Sequence, residues 1–406
     1  MFKKPLVGLN GDMQNKMKKN LKIFGDHDEN TITQINTCLD VDGVAAVLCA
    51  DGHLGYSSPI GGVVAYKNKV SISSVGFDIA CGNMAIKTDI KYKDIMSVMG
   101  YLVDVVAKEI SFGVGRNNNT PIDHELFDDE TWKLDTISSL KQMARNQLGT
   151  VGSGNHYVDI MVDEDSTVWV GVHFGSRGLG HKTATAYLNA AGGKDGMLVP
   201  PTVVSLDTAL GADYYATMKL CGRYAYAGRE YVARHVVKNI LKGNIVEEVH
   251  NHHNYAWEET HNGEDLIVVR KGATPAFPHQ KGFIGGSMGD DAVIVEGVES
   301  ELSKQALYST VHGAGRIMSR TEARGKVNRK TGAKISDGKV SREAMDTWLN
   351  DFGVVVRGGD TDESPQAYRR LPEVLKHHEG TIKVLHTLKP VGVVMAGKDV
   401  VDPFKD

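Results

Sequence analysis

The sequence has few cysteines, and none of them is placed for pairing. The four thiols, Cys38, Cys49, Cys81 and Cys221, stand far apart, and no two of them form a CxxC motif. This spacing argues against a disulfide framework and against an all-cysteine zinc site. A reducing compartment fits such cysteine usage best.

Long apolar runs are also missing. Lysines open the chain at Lys3, at Lys4 and between Lys16 and Lys22, but no apolar core of a signal peptide follows them. No apolar run approaches the roughly 20 residues that a membrane-spanning helix requires. We therefore expect a cytoplasmic protein that makes no membrane contact.

The chain has no excess of positive charge, because its formal net charge is −4. This balance excludes a polycationic coat for nucleic acid but allows a local basic surface. One segment supplies such a surface against two acids, Glu322 and Asp337. Its basic residues are Arg316, Arg320, Arg324, Lys326, Arg329, Lys330, Lys334, Lys339 and Arg342. Charge pattern alone fits a solvated face as well as a partner site.

What the chain does have is enough apolar material for a sizeable core, since 41% of its 406 residues are hydrophobic. Repeats, low-complexity tracts and Pro/Ser linkers are absent. We therefore predict a single large domain over residues 1–406, mixed α/β or α+β, with its function in loops.

Local patterns predict the elements of this domain. Between residues 41 and 90, the runs GVAAVL, GGVVAY and VSISSV alternate with glycine turns and predict strands. Residues 92–150 are more polar and are expected to be helical in parts. Residues 222–242 carry apolar side chains at helical spacing and predict an amphipathic helix whose His235 faces solvent. The apolar positions are Ala233, Val236, Val237, Ile240 and Leu241.

Several histidines stand beside glycine, asparagine or serine rather than on apolar faces. They are His156 in VGSGNHYVDI, His173 in VGVHFGSRGLG, His250, His252 and His253 in EEVHNHHNYAWEE, and His312 in STVHGAGR. Any one of them alone is more often a structural residue than a ligand. Together with Asp78 and Cys81 of SVGFDIACGNMAIKT, they indicate a metal site.

A thiolate, imidazoles and a carboxylate form a donor set that suits Mn, Fe, Co or Zn better than Mg or Ca. A thiolate can also bridge two ions. That would explain a single cysteine among more nitrogen donors than one tetrahedral metal accepts. Cys38, Cys49 and Cys221 lack such neighbours and are predicted to be small buried hydrophobes.

Eight separated motifs carry a family resemblance. In order they are DGHLGYSSPIGGVVAY…VGFDIACGNMAI, LGTVGSGNHYVDI, HFGSRGLG, HHNY, RKGAT, GGSMG, VHGAGRIMSR and DESPQAY. This series resembles the RtcB family of RNA-splicing ligases, and it extends from about residue 43 to about residue 397. The resemblance implies the α+β fold of that family, with sheets flanked by helices around a central metal and nucleotide site.

The resemblance also implies an activity. Such an enzyme uses GTP and two Mn²⁺ ions to join an RNA 3′-phosphate or 2′,3′-cyclic phosphate end to a 5′-hydroxyl end, through a covalent histidine-GMP. By motif, His312 is the nucleophile. The implied metal ligands are Asp78, Cys81, His156, His173 and His253, with Cys81 shared by the two ions. The implied nucleotide contacts are Asn155, His156, Tyr157, Val158, Asp159, His253, Asn254, Gly285, Gly286, Ser287, Met288, His312, Gly313, Ala314, Gly315, Tyr368 and Lys398.

General chemistry is compatible with these roles. Attack of an imidazole on an α-phosphorus requires neutralised phosphate oxygens, which a divalent ion provides. Glycines beside His312 and Ser287 let backbone N–H groups approach phosphate. Since the basic segment follows His312 directly, we expect it to contact the RNA backbone, with Arg316 and Arg320 as the first candidates.

Some positions depart from the family pattern. Ala396 stands where the family usually has a lysine, and Lys398 follows two residues later. Asp159 replaces a usual glutamate on a shorter arm. Asp51 and His53 are retained, and a structural role is favoured for His53. The position before Asn254 favours His253 over His252, but spacing alone leaves both open.

Two other functions remain open. The first is a phosphoesterase, or another nucleotidyltransferase, that uses the same metal cluster. In the phosphoesterase the cluster would activate water, and no covalent nucleotide would form. A non-catalytic RNA-binding relative would hold a structural metal. The sequence does not identify the RNA substrate, separate tRNA splicing from repair, or show whether an activating protein is needed. A monomer is the expectation.

Overall fold

The computed structural model describes residues 21–118, 120–327 and 334–397. The strands are β1 (Leu21–Ile23), β2 (Gly43–His53), β3 (Ile60–Tyr66), β4 (Lys69–Ser71), β5 (Gly82–Lys91), β6 (Tyr157–Val162), β7 (Thr167–Phe174), β8 (Val203–Ser205), β9 (Ile245–His252), β10 (Asn254–His261), β11 (Glu264–Lys271), β12 (Ala273–Pro275), β13 (Lys281–Ile284), β14 (Ala292–Gly297), β15 (Ser309–Val311), β16 (Gly325–Val327), β17 (Lys334–Asp337), β18 (Val355–Arg357) and β19 (Ile382–Met395).

The helices of the same ranges lie between and around these strands. They are α1 (Glu29–Asp40), α2 (Ile72–Val75), α3 (Tyr92–Ile95), α4 (Met99–Glu109), α5 (Asp135–Ser138), α6 (Lys141–Gln147), α7 (Arg177–Ala190), α8 (Ala209–His235), α9 (Glu301–Gln305), α10 (Arg320–Arg324), α11 (Arg342–Phe352) and α12 (Leu371–Lys376). The mixture of helices and sheets confirms the predicted α+β class. Division of the whole chain into domains stays a prediction.

Two sheets organise these elements. The smaller has the order β1-β2-β3-β11-β10, and the larger has the order β13-β14-β19-β6-β7-β5-β9. Neighbours are antiparallel, apart from the parallel pairs β1 with β2 and β18 with β19. The larger sheet is nearly closed through Phe283 of β13. The Asn83 amide donates to the Phe283 carbonyl, and the Asn251 side chain accepts from the Phe283 N–H, both at 2.9 Å.

Helix α8 confirms the predicted amphipathic helix and extends it. Thr208 caps its first turn, and Val236–Ile240 continues its last turn as a π-helical turn. All five predicted apolar positions are buried against the larger sheet. The apolar repeat did not predict the first half, where tyrosines and glycines interrupt it. His235 lies on the polar face, as predicted, and is bonded there to Glu109 at 2.8 Å.

The early strands are confirmed in two cases out of three. GVAAVL lies in β2 and GGVVAY lies in β3, whereas only the first two residues of VSISSV lie in β4. Its other four residues form helix α2, because the Ser71 side chain caps the turn by accepting from the Ser74 N–H. Such local side-chain bonds compete with strand pairing. The helices expected between residues 92 and 150 are present as α3 to α6.

Cys38, Cys49 and Cys221 are buried and unpaired with one another, as predicted. Within the described ranges, no helix is both long enough and apolar enough for a membrane crossing.

Candidate active site

Strand register gathers the predicted metal ligands at one end of the larger sheet. Gly82 at the start of β5 lies opposite Phe174 of β7 and His252 of β9. Tyr157 at the start of β6 lies opposite His173. Because these strands are antiparallel, the residues next to these pairs meet at the same edge although they are far apart in sequence.

Two clusters of possible ligand atoms meet at one thiol. Cys81 with His173 and His253 forms one group, and Cys81 with Asp78 and His156 forms the other. In each group the ligand atoms lie within 4.8 Å of one another. The Cys81 Sγ lies 3.6 Å from His173 Nε2 and 3.7 Å from His156 Nε2. The structure thus brings together all five predicted metal ligands, with Cys81 in both groups.

Hydrogen bonds orient the imidazoles in these groups. His173 Nδ1 lies 2.6 Å from Asn83 Oδ1, and the Asn83 amide nitrogen is already donating to Phe283. The Asn83 oxygen must therefore accept, so the His173 proton is on Nδ1 and the Nε2 lone pair points toward Cys81. His156 Nε2 lies 3.0 Å from Asp78 Oδ2 and its Nδ1 lies 3.3 Å from the Arg177 guanidinium.

The electrostatics of the cluster suit metal binding. Burial lowers the pKa of His173 and of His253 well below the ordinary value, which keeps both imidazoles neutral. Burial raises the pKa of Asp78, but its bond to His156 and nearby charge prevail and bring that pKa to about 2. Burial and the Asp78 charge raise the pKa of the Cys81 thiol. A bound cation would reverse that effect and favour the thiolate.

The residues present fit divalent ions of the manganese to zinc range. Neutral imidazoles, a carboxylate and a shared thiol form the borderline-soft donor set that such ions prefer. His253 Nδ1 is buried and has no hydrogen-bond partner among the described residues. A buried polar atom left without a partner indicates a place where an ion or a ligand belongs.

The structure separates His253 from His252. His253 stacks on His173 with ring centroids 5.1 Å apart and joins the Cys81 group. The neighbouring His252 points to the other face, where its Nδ1 lies 2.8 Å from the Arg229 guanidinium. The position before Asn254 is thus the one that reaches the metal cluster.

His312, the predicted nucleophile, is held by a carboxylate. Its Nδ1 lies 2.6 Å from Asp51 Oδ2, and the same oxygen accepts from the backbone N–H groups of His312 at 3.0 Å and Gly313 at 3.3 Å. Burial raises the pKa of Asp51, but its bonds to His312 outweigh burial and hold that pKa below the ordinary value. Asp51 is therefore an anion that keeps the His312 proton on Nδ1 and leaves Nε2 free. His312 lies beside the cluster, with its ring centroid 4.9 Å from that of His253.

The two glycine loops predicted to bind nucleotide are neighbours. Gly285 and Gly313 form an isolated parallel β-bridge. Ser287 Oγ is buried without a hydrogen-bond partner in the described chain. Gly315 has a φ of +75°, and a Cβ there would lie 2.4 Å from the Asp51 carbonyl, so this loop requires glycine. Ala314 and Met288, which belong to these loops, are buried.

The side chains of the NHYVD segment divide between the candidate site and the core. The Tyr157 ring stacks on His173 with ring centroids 5.4 Å apart, and Asn155 Nδ2 lies 3.4 Å from His173 Nε2. Asp159 is buried, one of its carboxylate oxygens has no hydrogen-bond partner among the described residues, and burial raises its pKa well above the ordinary value. Val158 points the opposite way and packs in the core, so its side chain is not part of this group.

Asn254, Tyr368 and Lys398 have different outcomes. Asn254 holds two turns together, since its amide nitrogen donates to the Asp78 carbonyl and its oxygen accepts from the Gly272 N–H. The Tyr368 hydroxyl is bonded to Glu363 and accepts from Arg316. Lys398 lies outside the described residues.

Comparison with known proteins agrees with this arrangement of motifs. The family model described as tRNA-splicing ligase RtcB matches residues 34–136 and 129–396. The chain belongs to the RtcB family. It is 30% identical to RNA-splicing ligase RtcB of Escherichia coli strain K12, over 84% of this chain and 87% of that protein. It is 28% identical to tRNA-splicing ligase RtcB of Thermococcus kodakarensis, over 86% and 87% of the two chains.

A eukaryotic relative is equally similar. RNA-splicing ligase RtcB homolog 1 of Entamoeba dispar is 30% identical over 86% of this chain and 79% of that protein. The family resemblance seen in the eight motifs is therefore confirmed. Membership of the RtcB family supports the prediction that the protein is an enzyme of the RNA-ligase class.

The basic segment of this RtcB chain differs from expectation. Arg316 donates to Tyr368 and to the Asp362 carbonyl, and Arg320 pairs with Asp362 at 3.3 Å and with Glu363. Both acids are buried. The prediction that these two arginines are the first candidates to contact the RNA backbone is therefore not supported, because a hydroxyl and a carbonyl engage Arg316 and buried carboxylates engage Arg320. Arg329 and Lys330 lie outside the described residues.

Sequence reasoning missed the residues that support the site from behind. Asp51 was noted as retained but received no role, although a carboxylate in a glycine turn is a usable signal. Nothing in the sequence connected it to His312, which lies 261 positions away. Asn83 and Arg229 gave no signal, since a lone amide and a lone arginine are common in any chain. His53 bonds the Asp51 carbonyl at 3.1 Å, in agreement with a structural role.

Proposed function

We propose that this protein is a GTP- and Mn²⁺-dependent RNA ligase that joins 3′-phosphate or 2′,3′-cyclic phosphate ends to 5′-hydroxyl ends. Its family membership supports the ligase class. The observation that carries the proposal is the His312–Asp51 pair next to the Cys81 cluster, with 4.9 Å between the ring centroids of His312 and His253. A carboxylate-held imidazole suits a nucleophile and also a general base for water, and the labelling experiment below distinguishes the two.

The first step follows from the tautomer of His312. Asp51 holds the proton on Nδ1, so the Nε2 lone pair attacks the α-phosphorus of GTP. The new Nε2–P bond forms as the P–O bond to pyrophosphate breaks, and pyrophosphate leaves with the electron pair. The ring becomes positively charged, and the Asp51 anion 2.6 Å from Nδ1 stabilises that charge.

The two ions, when bound by Asp78, Cys81 and His156 and by Cys81, His173 and His253, would neutralise phosphate oxygens as Lewis acids. The chain itself supplies the other contacts. The Gly285–Met288 loop, which meets the His312 loop at Gly285 and Gly313, supplies backbone N–H groups for phosphate, whereas the N–H groups of His312 and Gly313 already donate to Asp51. The Ser287 hydroxyl and one Asp159 carboxyl oxygen have no hydrogen-bond partner among the described residues and are available for polar atoms of the nucleotide.

In the second step His312 donates GMP to the RNA, and in the third step GMP is released. An oxygen of the RNA 3′-phosphate displaces His312 from phosphorus and forms a phosphoanhydride with GMP. The RNA 5′-hydroxyl then attacks the 3′-phosphorus, and GMP leaves. A cyclic phosphate must first be opened by water, because a 3′-monoester oxygen is the acceptor. Cytoplasmic location and a monomeric state stay predictions.

Labelling with α-³²P-GTP tests this function directly. We expect radioactive GMP to stay on the wild-type protein in the presence of Mn²⁺ and to be lost in His312→Ala. His279→Ala is the matched control, because the His279 side chain is 91% exposed, and it should label as wild type does. Equal labelling of His312→Ala would remove the assignment. No labelling of any protein, with Mn²⁺-dependent release of phosphate from RNA, would favour the phosphoesterase instead.

A further inference from the structure

Arg229 is a fully buried arginine directly behind the candidate metal centre. It lies in α8, and none of its surface is exposed. Its guanidinium donates to the Ala80 carbonyl at 2.9 Å, the Phe174 carbonyl at 2.5 Å and His252 Nδ1 at 2.8 Å. A fourth bond, from Nε, reaches His250 at 2.8 Å.

Three of these four partners are direct neighbours of candidate ligands. Ala80 precedes Cys81, Phe174 follows His173, and His252 precedes His253. Those ligands come from three chain segments whose strands, β5, β7 and β9, pair along their lengths, and the ligands lie at the end of that pairing. One planar guanidinium therefore connects all three segments of the Cys81, His173 and His253 group.

The backbone at the first of these contacts is strained. Ala80 has a φ of +60°, which lies in the left-handed region that non-glycine residues rarely adopt. The peptide is held there by the Arg229 bond to its carbonyl and by a 2.7 Å bond from its N–H to the Asn254 carbonyl. Cys81 follows at once, so the strained turn determines where its thiol points.

The charge of Arg229 also connects it to the candidate metal centre. Among the described residues, its hydrogen-bond partners are carbonyls and imidazoles, and no carboxylate forms an ion pair with it. A buried cation without a paired anion is unfavourable. Asp78 and Cys81 are acidic groups close enough to act on it electrostatically, and both would be anions in a metal-loaded centre.

We propose that Arg229 is a positioning residue that holds the Cys81, His173 and His253 segments in metal-binding geometry. This proposal rests on the proposed metal centre. Lysine cannot replace it, because an ammonium on a flexible stem does not span two carbonyls and an imidazole in one plane.

Cobalt(II) alone, added to chelator-treated protein, tests the proposal without any catalytic assay. We expect Arg229→Lys to bind cobalt at least tenfold more weakly than wild type and to show an altered thiolate-to-cobalt charge-transfer band. Arg270→Lys is the matched control. Arg270 is also fully buried, but it bonds Glu259, Ser309 and the Leu307 carbonyl. It should lose thermal stability while its cobalt affinity and spectrum stay as in wild type.

A second pair of variants decides the question if Arg229→Lys does not fold. His252→Ala and His250→Ala each remove one imidazole from Arg229, but only His252 adjoins a candidate ligand. We expect weaker cobalt binding in His252→Ala and binding within twofold of wild type in His250→Ala. Wild-type affinity and spectrum in Arg229→Lys, or equal effects of the two histidine variants, would overturn the proposal. Failure of wild type to bind cobalt would instead overturn the metal centre itself.

Discussion

At the scale of single residues, two glycines of the candidate centre have no room for a side chain. A Cβ at Gly82 would lie 2.2 Å from the Asn251 carbonyl, and a Cβ at Gly175 would lie 2.1 Å from Asp78 Oδ1. Neither position tolerates a side chain unless a strand or the carboxylate moves. The polar atoms are equally constrained, since Asp51 Oδ2 alone accepts three hydrogen bonds from the His312 loop.

Asp51→Asn tests the role of that carboxylate. An amide keeps the shape but carries no charge to stabilise the His312 imidazolium, and its NH₂ group can turn toward Nδ1 and favour the wrong tautomer. We expect the single-turnover rate of guanylylation to fall by roughly 100-fold or more, with GTP affinity changed little. Asp163→Asn is the control, because Asp163 is also buried but bonds Trp169 and Thr167 at the far end of β7. Wild-type labelling rates in Asp51→Asn would contradict the role.

At the scale of elements, the loop that carries His312 is tied to the segment that contains DESPQAY. Arg316 precedes helix α10, and Arg320 is its first residue. Both contact Asp362 or Glu363 in the 3₁₀ turn Thr361–Glu363. Arg324 adds a longer contact of 3.9 Å to Asp362. These bonds fix the backbone that follows the nucleophile, so the arginines act on the loop's position.

Arg320→Ala should therefore affect the first chemical step. Loss of its guanidinium leaves buried carboxylates undercompensated, which costs on the order of 3 kcal/mol of unfolding free energy, and it loosens the loop behind His312. We expect slower guanylylation and a lower Tm, with the salt dependence of RNA binding unchanged. Adding Glu363→Gln to Arg320→Ala should recover part of the lost stability. A weaker salt dependence of RNA binding with normal guanylylation would restore the original prediction of a backbone contact.

At the scale of the whole molecule, buried neutral histidines make the fold sensitive to acid. Burial lowers the pKa of both His53 and His378 to about 4 and also lowers that of His250 and His252 well below the ordinary value. The unfolded chain protonates such groups near pH 6.5, whereas the folded chain does not. Their contribution to stability is thus complete above about pH 6.5 and is lost as the pH falls toward 4, by up to about 1.4 kcal/mol per histidine and pH unit.

His378→Phe isolates one of these groups. His378 stacks on Phe24 with ring centroids 4.3 Å apart, and a phenyl ring retains that packing but cannot titrate. We expect the free energy of unfolding in urea, measured with chelator present, to fall less steeply between about pH 6.5 and about pH 4.5 than in wild type. At neutral pH the variant should be slightly less stable, because the Ala50 N–H loses its acceptor. An unchanged pH slope would show that His378 titrates normally.

The sequence by itself determined the fold class, the family and the helix around Val236, and it predicted the residue types of the candidate metal centre. It could do so because apolar periodicity is local and because the motif series occupies most of the chain. Even the choice of Cys81 among four cysteines followed from its neighbours, since the other three have none suited to a metal.

Only the tertiary structure decided which side chains act on one another. Asp51 meets His312, Asn83 meets His173, and Arg229 meets three separate segments, because antiparallel register brings distant strand ends to one edge. Whether Arg316 and Arg320 face RNA or internal acids depended on the burial of Asp362 and Glu363, which no local pattern reveals. Orientation on a strand alternates with each residue, so His252 and His253 could be separated only when the sheet's two faces were known.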